Sequence, residues 1–159
     1  MRKFPHKVLY GGGALERIDP QKAARVWQRV QGEGGINESL LKELILEESM
    51  TATGWKQLAR NSQGQRRQLL EQMERQGRER IACLRGICEL LTGKKPEVPS
   101  LPQPHTSAQA LLRAGYGRLM KCLARYEAMQ ADPTYGPAFV PMAGQTRDHC
   151  RNTLALLGK

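Results

Sequence analysis

Three side chains with functional chemistry interrupt apolar patterns in this sequence. Glu48, Arg80 and His149 each fall on a face whose other members are mostly apolar and recur every three or four residues. That spacing marks one side of a helix. A carboxylate, a guanidinium or an imidazole on such an inward face is costly unless it is paired, hydrogen-bonded or bound to a metal. For His149 alone, the pattern favours a hydrogen-bonded core residue over a ligand.

Four long helices are predicted to carry these residues. Aromatic residues make up only 5% of the 159-residue chain, and β-branched residues never alternate in runs, so the predicted fold class is all-α. The first helix follows the cap Asn37, the third follows the cap Ser107, and the fourth follows the turn at 132–137. The second helix, 65–92, has its inward positions at Leu69, Leu70, Met73, Gly77, Arg80, Ile81, Leu84, Ile87, Cys88 and Leu91.

A proline-rich segment separates the second helix from the third. Gly93 is the expected C-terminal cap of the second helix, and residues 94–106 contain four prolines. An extended segment at about 3.1 Å per residue reaches roughly 40 Å, which is about the length of the second helix. We therefore predict a four-helix bundle with a long crossover between helices 2 and 3, in which the third helix runs parallel to the second.

The predicted domain organisation is an N-terminal arm with one short helix at 1–36, followed by the bundle at 37–159. Asp19-Pro20 has the composition of a helix start. No apolar stretch approaches the roughly 18 residues that a membrane span needs, so we expect no membrane association and a cytoplasmic protein. The four cysteines show neither a CxxC pair nor zinc-like spacing, which favours buried, unpaired thiols.

Several segments carry a family resemblance. ESMTATGWKQLA (48–59) places a glutamate seven residues before a tryptophan, LRGICELLTG (84–93) ends the second helix, and a DP turn (132–133) precedes MAGQTRDHCRNTLALL (142–157). Together these segments resemble the rubrerythrin-related branch of the ferritin-like superfamily. The resemblance extends over residues 38–157 and rests on pattern and spacing, with little strict identity. It implies a ferritin-like four-helix bundle.

The resemblance also implies a di-iron site, which this chain retains only in part. The site needs a Glu from each of two helices and an ExxH pair from each of the other two. Glu48 and His149 match two of these positions, and two ligands supply too little charge and too few donors for two first-row metals. We therefore expect a degenerate di-iron site with no cofactor; the alternative is iron bound by Glu48 and His149. The other positions hold residues that do not bind iron: Gly77, Arg80, Leu119 and Thr146.

The positions that correspond to the family's di-iron ligands also suggest which residue replaces the metal. Arg80 stands where an iron-binding histidine would project inward, and Glu48 would face it from the neighbouring helix. A guanidinium can bind a carboxylate through two hydrogen bonds and supply positive charge. We therefore predict a buried ion pair between Glu48 and Arg80 in place of the metal, with His149 within reach. The absence of a side chain at Gly77 would leave room for the arginine.

Three functions follow from these observations. The favoured one is a rubrerythrin-like protein without catalytic activity that serves as a binding or structural module, with an unknown protein partner or a second copy of itself. The second is a residual iron oxidoreductase of the di-iron type. The third is a binder of nucleic acid or of an acidic partner through the arginine-rich second helix, because the chain carries a formal charge of +10. No nucleic-acid-binding motif accompanies that charge, so the third is the least favoured.

Overall fold

The computed structural model describes residues 35–158, which form four α-helices and no strand. The helices are α1 (Glu38–Arg60), α2 (Gly64–Thr92), α3 (Ala108–Met129) and α4 (Gly136–Leu157). The all-α prediction is confirmed for this part of the chain. Residues 1–34 of the predicted N-terminal arm, with its short helix, lie outside the described residues.

The helix ends follow from local side-chain chemistry. The Asn37 side chain accepts a hydrogen bond from the backbone N of Leu40 at 2.9 Å, which caps α1. Ser107 caps α3 in the same way, at 3.1 Å from the backbone N of Ala110. Gly93 ends α2 with φ 82°, a left-handed conformation that glycine adopts without steric cost. These three ends lie where the sequence predicts them.

The core consists of two apolar clusters, one at each end of the bundle. The first joins the early turns of α1 and α4 to the late turns of α2 and α3: Leu41, Leu44, Ile45, Ile81, Leu84, Ile87, Cys88, Cys122, Leu123, Tyr126, Met129, Phe139, Met142 and Ala143. The second joins the opposite helix ends: Trp55, Leu58, Ala59, Leu70, Met73, Leu111, Leu112, Leu119, Cys150 and Leu156. Side chains removed from water in this way supply most of the stability of an amphipathic helix.

The composition of the two clusters defines the directions of the helices. α1 starts in the first cluster, where α2 ends, so these two helices are antiparallel. α2 and α3 both end in the first cluster and therefore run parallel. Residues 93–107, between them, must return from one end of the bundle to the other. The backbone of this segment is tied to α2 where Arg85 Nε donates to the carbonyl oxygen of Pro96 at 2.6 Å.

Two sequence-based expectations about side-chain environment have different outcomes. Leu91 is 42% exposed although its spacing places it on the inward face of α2, because it lies one turn beyond the last cluster residue of that helix. All four cysteines, which lie within the described residues, are free thiols. Three of them are buried and Cys83 is partly buried.

No helix among residues 35–158 is long and apolar enough to cross a membrane.

A glycine in α3 makes room for the largest side chain of the core. A Cβ atom added at Gly115 would lie 2.5 Å from Cη2 of Trp55, whose ring is buried. A rigid, buried indole cannot move aside as the end of a flexible side chain could. The close approach of α3 to α1 at this level therefore depends on the missing side chain.

We expect Gly115→Ala to lower the free energy of unfolding by about 1–3 kcal/mol, because the added methyl group overpacks the core against Trp55. Gly117→Ala is the matched control: it lies in the same helix, is exposed, and has no atom within 4 Å of the added Cβ. That change should stabilise the helix by about 0.5–1 kcal/mol. Urea unfolding of the two variants would measure both values, and equal stability of the variants would contradict the packing argument.

Candidate functional site

A buried polar layer separates the two apolar clusters. We define the polar layer as the hydrogen-bonded residues that the four helices contribute between the clusters: Glu48, Gln76, Arg80, Tyr126, Gln145 and His149. Tyr126 belongs to both, because its ring packs in the first cluster and its hydroxyl group points into the layer. The layer is the only place among the described residues where ionised side chains are fully enclosed.

Glu48 and Arg80 form a two-pronged ion pair at the centre of the layer. Arg80 Nε donates to Glu48 Oε2 at 2.6 Å, and Arg80 Nη2 donates to Glu48 Oε1 at 3.0 Å. The side chains are 1% and 2% exposed. Two parallel hydrogen bonds from a planar guanidinium are the strongest geometry available to such a pair. The pair therefore ties α1 to α2 midway along the bundle.

Tyr126 supplies a third hydrogen bond to the same carboxylate. Its hydroxyl group donates to Glu48 Oε2 at 2.5 Å. Burial, together with the negative charge of Glu48, raises the pKa of Tyr126 well above its usual range, so the phenol keeps its proton. The Tyr126 ring stacks on Phe139 of α4, with 5.9 Å between ring centroids. This stacking orients the hydroxyl group towards α1.

Arg80 is bound on its other edge by α4. Nη1 donates to Gln145 Oε1 at 2.7 Å, and Nη2 lies 3.4 Å from His149 Nδ1. Burial alone would lower the pKa of Arg80, but the charge and hydrogen bonds of Glu48 outweigh it, so the pKa is raised and the guanidinium stays charged. Four of its five N–H groups thus have acceptors within the layer.

The tautomer of His149 follows from its neighbours. A guanidinium can only donate, so Nδ1 must accept from Arg80, and the ring proton must be on Nε2. Nε2 lies 2.7 Å from Gln76 Oε1, which accepts that proton. Burial, followed by the charge of Arg80, lowers the pKa of His149 to about 3. The imidazole is therefore neutral and acts as a spacer between Arg80 and Gln76.

Taken together, the layer carries no net charge, and both Glu48 oxygens, both ring nitrogens of His149 and four of the five Arg80 N–H groups have partners within it. One carboxylate faces one guanidinium, and the phenol, the imidazole and the two amides supply the remaining contacts. A buried pair is costly to desolvate, and such geometry offsets that cost. The layer contains neither an activated nucleophile nor a base poised near neutral pH.

The structure places Glu48, Arg80 and His149 in a single site. Leu119 lies in the second apolar cluster, and the hydroxyl group of Thr146 donates to the Met142 carbonyl oxygen of its own helix at 2.7 Å. A Cβ at position 77 would lie 3.7 Å from Arg80 Nη2, an ordinary contact. The backbone at Gly77 therefore has room for alanine, but a longer side chain would meet the ion pair.

Sequence reasoning missed three members of the layer. Tyr126 is on the inward stripe of α3, where its ring alone explains the position. Gln76 and Gln145 are each four residues before a predicted site residue, Arg80 and His149 respectively. Side chains four apart lie on the same helix face, so this spacing was a usable signal for both amides.

The donor set of the layer does not fit a di-iron centre. The described residues contain no group of three or more His, Cys, Asp or Glu side chains that could hold a metal ion. A metal bridging Glu48 and His149 would have to displace the guanidinium that lies between them. Glu47, which neighbours the site in sequence, is instead paired with Lys121 at 2.9 Å on the surface.

The arginine-rich face of α2 has a mixed charge. Arg67 pairs with Glu71 at 3.1 Å, and Arg78 pairs with Glu74 at 3.6 Å, each one helical turn apart. Neutralising glutamates of this kind reduce the attraction of a helix face for phosphate groups. The positions of these arginines add no support to a nucleic-acid site on α2.

Comparison of the chain with protein-family models, with curated proteins and with solved structures finds no match.

We expect Arg80→Met to lower the free energy of unfolding by about 3–5 kcal/mol, because it leaves the Glu48 carboxylate buried without its cation. The double variant Glu48→Gln/Arg80→Met should lose much less than the sum of the single changes, since no unpaired charge remains. Arg67→Met is the surface control, because its pair with Glu71 is exposed and should contribute less than about 0.5 kcal/mol. Denaturant unfolding of these three variants, of the single variant Glu48→Gln and of the parent chain measures these differences. An Arg80→Met variant as stable as the parent chain would contradict the buried pair.

The neutral state of His149 predicts an acid-sensitive stability. The unfolded chain binds the imidazole proton near pH 6.5, whereas the folded chain binds it only near pH 3. Between these values the unfolded state holds more protons, so the free energy of unfolding falls as pH falls, by up to about 1.4 kcal/mol per pH unit.

The contribution of His149 can be isolated with His149→Gln, which cannot titrate and should flatten the pH dependence of stability in this window. The matched control is His105→Gln, which changes an exposed histidine between α2 and α3, outside the polar layer. If the free energy of unfolding changes with pH in the same way for the parent chain and for His149→Gln, the imidazole is not held neutral in the folded state.

Proposed function

We propose that this chain is a ferritin-like protein of the rubrerythrin-related type in which the guanidinium of Arg80 takes the place of the di-iron centre. The parallel direction of α2 and α3, with a long return segment between them, supports the ferritin-like topology. The meeting of Glu48, Arg80 and His149 in one buried layer supports the correspondence with the metal site.

The observation that carries the proposal is the two-pronged contact between Arg80 and Glu48. In a metal-binding bundle, inward carboxylates are stabilised by the charge of the ions. Here one guanidinium supplies a positive charge through a side chain, at 2.6 and 3.0 Å from the two oxygens. Both oxygens of Glu48 and the free nitrogen of His149 are occupied by hydrogen bonds. The bundle is thereby stabilised without a metal.

The function we infer is that of a non-catalytic binding or structural module rather than of an oxidoreductase. The partner is another protein or a second copy of the chain. The cytoplasm is the expected location, because unpaired cysteines such as the four in this chain persist in a reducing compartment.

Elemental analysis of the purified protein tests the proposal directly. The protein is measured as isolated, and again after anaerobic loading with Fe(II) and desalting. We expect close to zero metal per chain in both samples, because Arg80 occupies the space between the two remaining ligands. One or two metal ions per chain, lost in Glu48→Ala or His149→Ala, would overturn the proposal in favour of an iron oxidoreductase.

A further inference from the structure

The acceptors around Arg80 match the shape of a guanidinium group. Glu48 presents two oxygens side by side to Nε and Nη2, at 2.6 and 3.0 Å. Gln145 Oε1 lies 2.7 Å from Nη1, and His149 Nδ1 lies 3.4 Å from Nη2. Acceptors placed opposite all three nitrogens of a planar guanidinium favour that group. A metal ion or an ammonium group is instead a compact centre of charge.

Most of these acceptors are held in place by contacts that do not involve Arg80. Tyr126 donates to Glu48 Oε2 at 2.5 Å, which orients the carboxylate. Gln76 accepts from His149 Nε2, which leaves Nδ1 as the free acceptor. The acceptors lie on α1 and α4, whereas Arg80 itself lies on α2. Removing the arginine side chain would therefore leave a largely preorganised set of acceptors.

We propose that the polar layer is a binding site selective for a guanidinium cation, and that the side chain of Arg80 is its built-in ligand. This inference rests on the proposed function, in which a guanidinium takes the place of the metal. It adds the chemical class that the site accepts: an alkylguanidinium, in preference to an ammonium or a divalent metal ion.

Chemical rescue of Arg80→Ala tests this selectivity. The substitution deletes Cγ, Cδ and the guanidinium group, and ethylguanidinium contains those same atoms. We expect ethylguanidinium at about ten times its Kd to raise the Tm of Arg80→Ala by roughly 5 °C. Equal concentrations of ethylammonium, or of Zn²⁺, should raise it much less. Arg75→Ala removes an exposed arginine of the same helix and is the matched control, with no specific shift expected.

Two outcomes would overturn the proposal. One is a Tm shift with ethylguanidinium no larger than with ethylammonium, and the other is a larger shift with Zn²⁺. If Arg80→Ala is unfolded without ligand, ethylguanidinium should restore its helical circular dichroism signal, and failure to restore it counts against the site.

A measurement on the native chain does not depend on whether Arg80→Ala folds. Arginine side-chain NMR should show hydrogen exchange at Nε of Arg80 slowed by about 100-fold or more relative to Arg75, since four N–H groups of Arg80 are bound in the layer. Equal exchange rates would show that Arg80 does not occupy the site. Metal uptake by the native chain would overturn the proposed function, whereas failed rescue with a metal-free native chain would overturn only the guanidinium selectivity.

Discussion

The buried ion pair between Glu48 and Arg80 is the constraint on which the rest of the bundle depends. Neither charge can be left alone in an apolar interior, where an unpaired ion costs several kcal/mol. α1 and α2 must therefore align so that position 48 meets position 80. Tyr126 of α3 reaches the same carboxylate, while Gln145 and His149 of α4 reach the same guanidinium. One pair of charges thus fixes the register of all four helices.

The polar layer also disfavours other alignments of the four helices. Leucine, isoleucine and alanine in the two clusters would tolerate a shift of one helix by a turn, because apolar contacts are not directional. Such a shift would carry Arg80 or Glu48 into an apolar cluster and separate them. A central layer of directional hydrogen bonds therefore specifies a single packing, at a cost in desolvation that a fully apolar core would not have.

Packing around the layer depends on side chains of very different size. Trp55 lies one turn beyond Ala52 on α1, and its ring fills the space left open by Gly115 of α3. Between Glu48 and Trp55, α1 carries mostly small residues, and Ser49, Thr51 and Thr53 are buried. The Ser49 and Thr53 hydroxyl groups donate to backbone carbonyl oxygens one turn earlier in the same helix. Ser49 and Thr53 are therefore buried with their hydroxyl groups hydrogen-bonded, whereas the buried Nε1 of Trp55 has no hydrogen-bond partner among the described residues.

The sequence by itself determined the four helices, three of their ends, and the three polar residues on inward faces, because periodicity and capping are local properties. Periodicity and capping did not determine which of those residues meet; the pairing of Glu48 with Arg80 was predicted only through the family resemblance. Glu48 and Arg80 are 32 positions apart, and Arg80 and His149 are 69 apart. Only the packing of the helices decided that Tyr126 and two glutamines complete the layer, that Leu91 is exposed, and that His149 is neutral. Burial and hydrogen-bond geometry are properties of several helices at once, and no single segment of sequence contains them.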